Sequence, residues 1–347
     1  MSIVSADENV IMIVERIEGE EMQNRVTDIL GIEKPIIQGP LNWLTDGKYV
    51  AAVSKAGGLG VFGFNAGQKE AVFTVEETVA NMRREIKIAK EITAKPMGMN
   101  IAPGHPTTDV FTQPMMDLMV EEGIGTAVMV GDFSAYWTER FHAKGIKVVF
   151  RAATPTVENT EEAIEGGADI IVATGFDEGG TVPEKVIGTF SIIPMIVDAA
   201  KGRVPVMAAG GIADERTAEA AFVLGAEGLF VGTAFMMAEE SVLAQNIKEM
   251  ALAATASDLV MYRTVPAFYR SLPGELPNQL VELSKAGKSE EEIYQAQHAY
   301  DGMRDGMLFG DLSKGFASFG LGISLIHQIE PVANIIDRLM SGIKRFL

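Results

Sequence analysis

Cysteine is absent from all 347 residues of the chain. This absence excludes disulfide bonds, thiolate metal sites and cysteine nucleophiles, and it is typical of a reducing compartment, so we expect a cytoplasmic location. Positive charge is scarce as well: 29 Lys and Arg residues against 47 Asp and Glu residues leave a formal net charge of −18. Such a charge repels nucleic acid and anionic membranes, and we expect neither as a partner. An anionic ligand would need local N–H groups to hold it.

Long apolar runs are missing too. No stretch approaches the ~20 residues that span a bilayer, and no basic region precedes a hydrophobic stretch at the start, as a secretory signal requires. The four histidines, His105, His142, His298 and His327, are scattered, so we predict no metal site. Residues 1–21 form an acidic segment unlike the rest of the chain, and we interpret them as an N-terminal extension.

Eight short apolar runs alternate with amphipathic stretches along the rest of the chain. The runs cover residues 34–40, 58–63, 95–102, 124–131, 146–152, 168–175, 204–211 and 228–234. Their apolar character is nearly continuous, as in parallel strands that are covered on both faces. Eight βα units at this spacing predict an α/β fold, a TIM (β/α)₈ barrel, rather than an open doubly wound sheet.

The pattern changes after the eighth run. Residues 236–318 show helical patterns and no β-like run, and residues 319–347 resume an amphipathic pattern suited to the last outer helix of the barrel. We therefore predict that residues 22–235 and 319–347 form the barrel. Residues 236–318 are expected to form a helical insertion, or lid, over the C-terminal face, where the loops of a barrel build the active site.

Two glycine-rich turns, each directly after an apolar run, carry the main functional signal. They read VPVMAAGGI over 204–212 and GLFVGTA over 228–234. Glycine lets backbone N–H groups approach an anion, and a helix that begins there adds its positive end, so the pair predicts the phosphate site after strands seven and eight of a barrel. The residues concerned are Ala209, Gly210, Gly211, Gly232 and Thr233. Taken singly, each turn is more often a plain connection.

Other polar residues stand at strand ends on the same face, namely Gln38, Gly39, Pro40, Asn100, Arg151 and the loop at 174–183. No lysine ends a strand where it could form a Schiff base, so the site still needs a reactive group, and a flavin cofactor is the economical one. Arg151 would then face N1 and O2 of the isoalloxazine, while Asn100 and the backbone of residues 38–41 would meet the flavin edge. The plainer alternatives are an ion-pairing arginine and a loop-capping asparagine.

Residues elsewhere on this face carry weaker signals. His105 lies in a loop at the same end of the barrel, and its alternatives are a functional imidazole and an ordinary solvated side chain. Tyr262, Tyr269 and Arg270 in the insertion line the substrate mouth in one interpretation and pack between helices in the other.

These motifs together resemble the nitronate monooxygenase family, formerly called 2-nitropropane dioxygenases, which is related to FMN-dependent enoyl-acyl-carrier-protein reductases. The similar stretches are VTDILGIEKPIIQGP, SKAGGLGVFG, GFDEGGT, VPVMAAGGIAD, GAEGLFVGTAFMMAEES and FASFGLGISLIHQIEPVANII, which occur in the family order from Met22 to the end. The resemblance implies an FMN bound without a covalent link. It implies that Gly210, Gly211, Gly232 and Thr233 hold the phosphate, that Arg151 and Asn100 lie beside the flavin, and that Gln38 to Leu41 follow the ring.

The chain departs from the family in the loop after strand six. Family members usually carry a histidine directly after the glycine pair, and here Gly179 and Gly180 are followed by Thr181. A threonine hydroxyl forms hydrogen bonds but does not titrate near neutral pH, so help from an imidazole base is absent. Asp177 and Glu178 in the same loop are either substitutes or, as we expect, solvated carboxylates.

Three hypotheses for the function remain. The first is an FMN-dependent oxidoreductase that oxidises alkyl nitronates with O₂. The second is a reductase that passes a hydride from NADH or NADPH through the flavin to an activated alkene, such as an enoyl thioester, or to a quinone; the missing histidine favours it. The third is a flavin-binding protein without turnover. In each case we expect a small-molecule ligand and a homodimer.

Overall fold

A computed structural model describes residues 24–104 and 109–347 of the protein. The predicted N-terminal extension, residues 1–21, and His105 lie outside the described residues.

Eight parallel strands form the predicted barrel, and each lies within one of the eight apolar runs. They are β1 (Ile36–Gln38), β2 (Gly60–Phe62), β3 (Met97–Ile101), β4 (Thr126–Gly131), β5 (Lys147–Ala152), β6 (Ile170–Thr174), β8 (Val206–Ala209) and β9 (Gly228–Val231), with the two-residue β7 (Thr181–Val182) outside the barrel. Their order in the sheet is β1-β9-β8-β6-β5-β4-β3-β2. A parallel bridge between Ile37 and Leu59 joins β1 to β2 and closes the barrel. The predicted fold class is confirmed.

Helices alternate with the strands of the barrel and also build much of the insertion after β9. They are α1 (Arg25–Leu30), α2 (Gly47–Lys55), α3 (Val75–Ile92), α4 (Thr112–Glu122), α5 (Ala135–His142), α6 (Val157–Glu165), α7 (Thr189–Ala200), α8 (Glu215–Val223), α9 (Thr233–Met236), α10 (Gln245–Ala253), α11 (Glu275–Lys285), α12 (Glu290–Ala296), α13 (Ala299–Met303) and α14 (Val332–Ile343). Side-chain caps fix several of the starts, as where Thr74 accepts the N–H of Glu77 at the first turn of α3. Among the described residues, no helix combines the length and the apolar character needed to cross a membrane.

Two apolar layers hold the barrel together. The larger lies between the strands and the helices, and the smaller fills the barrel with inward side chains such as Val149, Val172 and Phe230. Val26 and Leu30 of α1 belong to the inner cluster, so α1 closes the N-terminal end of the barrel. This filled interior leaves the C-terminal end for a ligand, as in other TIM barrels.

The insertion is not wholly helical, and the expectation of no β-strand between residues 236 and 318 was wrong. Strands β10 (Val260–Arg263) and β11 (Phe268–Ser271) form an antiparallel hairpin, and β7 adds a third strand through the pairs Phe268 with Val182 and Tyr269 with Thr181. Each strand of the hairpin has only four residues, too few for a recognisable alternation, and the third comes from a distant part of the chain. The hairpin ties the insertion to the loop after β6.

The closing stretch is helical over a shorter range than expected. Of residues 319–347, Val332–Ile343 form α14, which contacts α8 closely enough that a Cβ at Gly342 would lie 2.0 Å from the carbonyl oxygen of Glu215. Leu321–Leu325 form a 3₁₀ turn. That turn lies against the carboxyl ends of the barrel strands.

Candidate active site

The first glycine turn leaves β8 in a conformation that only glycine adopts easily. Gly210 has φ +100° and Gly211 has φ +71°. A Cβ on Gly210 would lie 2.8 Å from Oγ1 of Thr189 and 2.9 Å from the carbonyl oxygen of Gly175. The turn is therefore pressed against the loop that follows β6, and the barrel mouth at this point is built from bare backbone.

The second glycine turn follows β9, the neighbour of β8 in the sheet. Gly232 is the N-cap of α9, and as a glycine it has no side chain to cap the N–H groups of that helix. A Cβ on Gly232 would meet its nearest heavy atom, Cδ2 of Leu41, at 3.8 Å. The packing therefore leaves space for a side chain at position 232. Because glycine leaves that space empty, there is room for an anion beside the first residues of α9.

Residues 320–322, near the C-terminus, contact both glycine turns. The sequence analysis did not predict these contacts. The N–H of Gly320 donates to Oγ1 of Thr233 at 2.9 Å, and the N–H of Leu321 donates to the carbonyl oxygen of Asp177 at 2.8 Å. A Cβ on Gly322 would lie 3.0 Å from the carbonyl oxygen of Gly211. The two glycine turns and residues 320–322 thus form one connected group of backbone segments. The sequence feature that indicates such contacts is the spacing Gly320-Leu321-Gly322, because alternate glycines are typical of backbone segments that lie close together.

The glycine loop after β6 is held at both ends. Oδ2 of Asp177 accepts the N–H of Thr189 at 2.5 Å and so caps α7, while the hydroxyl of Thr189 donates to the carbonyl oxygen of Gly210 at 2.9 Å. The buried Arg270 on β11 donates to the carbonyl oxygens of Phe176, at 2.9 Å, and Glu178. Arg270 therefore positions this loop from the insertion, a role more specific than either sequence interpretation.

Thr181, in the position where the family histidine was expected, lies on β7. Its Oγ1 is 2.9 Å from the hydroxyl oxygen of the buried Tyr269 on β11. Gly179 before it touches the C-terminal segment, because a Cβ there would lie 2.5 Å from the nitrogen of Gly320; at Gly180 a Cβ would meet no atom within 4 Å. The loop thus presents a pair of hydroxyl groups.

Arg151 and Glu178 form an ion pair at the end of β5, with their side chains 12% and 11% exposed. The expectation that Glu178 is a solvated loop carboxylate was wrong. The pKa of Glu178 is raised from 4.5 to about 7, because burial raises it more than the guanidinium groups of Arg151 and Arg270 lower it. Oε1 of Glu178 is buried without a hydrogen-bond partner. The site therefore holds a carboxyl group that titrates near neutral pH.

Residues 38–41 line the mouth beside β9, with Gln38 used structurally. Oε1 of Gln38 accepts the N–H of Val61 at 3.0 Å and so links β1 to β2. Gly39 donates its N–H to the carbonyl oxygen of Val231 at 2.9 Å, and a Cβ there would lie 2.8 Å from the ring of Phe230. The structure thus gives both residues a role in the barrel wall. Contact of residues 38–41, including Pro40 and Leu41, with a flavin stays a prediction.

Within the part of the chain that the structure describes, several buried polar atoms at the C-terminal ends of barrel strands, or in the loops that follow them, have no hydrogen-bond partner. They belong to Asn42 (Oδ1), Asn100 (Oδ1), Thr174 (Oγ1) and Glu178 (Oε1). Unsatisfied buried polar atoms are costly in a folded protein and call for an explanation such as a bound ligand. A flavin offers polar groups along one edge of an otherwise apolar ring, so these residues and the glycine cradle fit that cofactor. Ala209, by contrast, packs its side chain in the barrel interior.

No group of three or more His, Cys, Asp or Glu residues within 24–104 and 109–347 is arranged to hold a metal ion. A groove lined by Ile29, Lys90 and Thr93 lies at the N-terminal end of the barrel. It contains none of the residues predicted for the site, which lie at the opposite end.

Comparison with known proteins agrees with this geometry. The family model for nitronate monooxygenase matches residues 23–342. A protein of Staphylococcus haemolyticus named "Probable nitronate monooxygenase" is 28% identical, with 79% of this chain and 84% of that protein covered. A Rhodococcus jostii enzyme named (3aS,4S,5R,7aS)-5-hydroxy-7a-methyl-1-oxo-octahydro-1H-indene-4-carboxyl-CoA dehydrogenase is 27% identical, with coverages of 75% and 68%.

Solved structures show the same fold. FabK from Thermotoga maritima superposes with a TM-score of 0.80 at 28% identity and covers 94% of this chain and 97% of its own. Nitroalkane oxidase from Streptomyces ansochromogenes, at 19% identity, shares the fold with a TM-score of 0.74, with 92% of this chain and 98% of that chain covered. The family match spans nearly all the described residues, and the chain belongs to the nitronate monooxygenase family of flavin-dependent oxidoreductases.

Proposed function

We propose that this protein is an FMN-dependent oxidoreductase whose flavin lies across the C-terminal mouth of the barrel. The observation that carries the proposal is the single backbone assembly formed by the turns at Gly210 and Gly232, which residues 320–322 join. Bare backbone with free space beside Gly232 suits the phosphate of a mononucleotide. The unpaired amide and hydroxyl oxygens of Asn100 and Thr174 supply polar contacts for the ring.

The reaction we propose is oxidation of alkyl nitronates, with O₂ as the final acceptor. A nitronate is already an anion, so its oxidation needs no imidazole base to remove a proton. The hydroxyl groups of Thr181 and Tyr269 suit hydrogen bonding to nitronate oxygens, and Arg151, which is paired with Glu178, is a cation at the same end of the barrel. The curated relatives named as nitronate monooxygenases support the same reaction.

A second candidate is reduction of an activated alkene, such as an enoyl thioester, with NADH or NADPH as the electron donor. The observation that favours it is the Thr181–Tyr269 hydroxyl pair, because a hydroxyl can give a proton to a carbon next to a carbonyl group without titrating near pH 7. The similarity to FabK and to a CoA-thioester dehydrogenase is consistent with this chemistry.

Anaerobic stopped-flow spectroscopy separates the two. We expect the protein, purified and reconstituted with FMN, to be yellow and to bleach when mixed with propyl-2-nitronate in the absence of a nicotinamide. Bleaching by NADH or NADPH alone would favour the alkene reductase. Protein that stays colourless after reconstitution would refute the FMN site and both reactions.

A further inference from the structure

One carboxyl group of the mouth has no role in the reactions above. We propose that Glu178 is the proton-exchanging group of this site, and that its protonation frees the charge of Arg151 to bind an anionic substrate. The inference rests on the proposed FMN site. It extends that proposal by stating that the substrate is an anion and that a proton is taken up when the anion binds.

The geometry of the Arg151–Glu178 pair supports this role. Arg151 projects from the end of β5 into the mouth, and its guanidinium contacts Oε2 of Glu178, while Oε1 is buried and unpaired. Leaving one oxygen of a buried carboxylate unpaired is costly, because the attraction within a buried ion pair repays desolvation only when further hydrogen bonds satisfy the remaining lone pairs. One oxygen of Glu178 is thus left where a proton or a ligand group can satisfy it.

The charged neighbours of Glu178 set the balance. Arg151 from β5 and Arg270 from β11 favour its ionised form, and burial favours its neutral form. Arg270 is occupied with the carbonyl oxygens of Phe176 and Glu178, and the carboxylate of Asp177 is occupied as the cap of α7. Arg151 is therefore the cation whose partner changes when Glu178 gains a proton.

The consequence is a change of one unit of charge in the mouth. With Glu178 ionised, the pair is neutral and Arg151 offers no net charge to a ligand. With Glu178 protonated, the pair carries +1 and attracts a nitronate or carboxylate anion, in a protein whose net charge otherwise repels anions. Binding of an anion should therefore take up one proton from solvent, and anion affinity should fall as pH rises above the titration of Glu178.

Binding of propionate, a stable carboxylate analogue of a nitronate, tests this without turnover. Propionate is ionised throughout pH 6–9, and the absorption spectrum of the bound FMN reports its binding. For the wild type we expect the Kd to rise toward tenfold per pH unit between pH 7.5 and 9. E178Q, which imitates the protonated form, should bind propionate with a Kd that does not vary with pH. The matched control is E184Q, which changes an exposed glutamate nearby and should follow the wild type.

R151M is the second variant, should E178Q fold poorly. At an FMN concentration that saturates the variant, it should lose propionate binding at every pH. Wild-type pH dependence in E178Q, or wild-type propionate affinity in R151M, would overturn the inference while leaving the FMN proposal intact. Failure of the wild type to bind FMN at all would refute the proposed function and this inference with it.

Discussion

Gly232→Ala is the substitution that best separates ligand binding from folding at this site. The backbone of Gly232 has φ −113°, which alanine adopts, and the added methyl group would meet its nearest neighbour, Cδ2 of Leu41, at an ordinary 3.8 Å. The folded protein should therefore tolerate the change. A phosphate that sits directly on this backbone should not, because the methyl group occupies the space through which the N–H groups of the turn reach it.

The size of the effect is set by the bonds that the methyl group would prevent. A hydrogen bond to a charged group contributes about 1.5–3 kcal/mol. Loss of one such bond raises the Kd for FMN by about 10- to 150-fold, at 1.4 kcal/mol per factor of ten. Quenching of FMN fluorescence by the apoprotein measures this Kd, and thermal unfolding of the apoprotein should show no more than a small change.

Two controls make the result specific to the phosphate. Riboflavin lacks the phosphate, so its affinity should be the same for wild type and G232A. Gly125→Ala places a methyl group in open space at the other end of the barrel and should leave FMN binding unchanged. Equal FMN affinity in wild type and G232A would refute the phosphate cradle, and an equal loss for riboflavin would show that the methyl group disturbs the ring site instead.

Three further predictions concern stability. Gly180→Ala should lower the unfolding free energy by about 1–2 kcal/mol, because position 180 has a positive φ. Gly210→Ala should lower it by at least about 1 kcal/mol more, because its methyl group also clashes with neighbouring backbone. Urea unfolding compares the two variants, and equal losses would contradict the packing described. Arg270→Met should lower the unfolding free energy by about 2–4 kcal/mol, because it leaves two carbonyl groups without a donor. Arg263→Met, on the same hairpin, should lower it by less than about 1 kcal/mol in the same assay, because the ion pairs of Arg263 are exposed. The folded protein holds the Glu178 proton more tightly than the unfolded chain does. The unfolding free energy of the wild type relative to E178Q should therefore fall by up to about 3 kcal/mol as pH rises from 4.5 to 7 and then level off. Denaturant unfolding at several pH values measures this, and a rise over that window would show that the Arg151 charge dominates instead.

The barrel could be predicted from sequence because its signal is local. Each strand is covered on both faces, so it reads as a short continuous apolar run, and all five residues of Ile170–Thr174 are buried. The helices between the strands obey the same logic, as in α3, where the buried residues Met82, Ile86 and Ala89 recur at helical spacing. The regular alternation of the two patterns determines the fold class without knowledge of any long-range contact.

The hairpin of the insertion could not be predicted in this way. Its two strands have four residues each, and its partner β7 has two, so no segment is long enough to show a period. Thr181 and Tyr269 are 88 positions apart in the chain, and nothing in either neighbourhood indicates the other. The contact between Thr181 and Tyr269 therefore could not be predicted until the fold placed the insertion over the loop.

The two adjacent carboxylates of that loop show how the tertiary structure assigns different chemistry to similar residues. Asp177 faces the start of α7 and accepts an N–H there, which holds it as a structural anion. Glu178, the next residue, points to the end of β5, where burial favours its neutral form and Arg151 favours its charge. A site that lacks the imidazole at position 181 thus still contains one group that titrates near neutral pH. Because that group is paired with a cation, its titration controls the binding of anions in addition to the supply of a proton, which a lone histidine in the loop would not do.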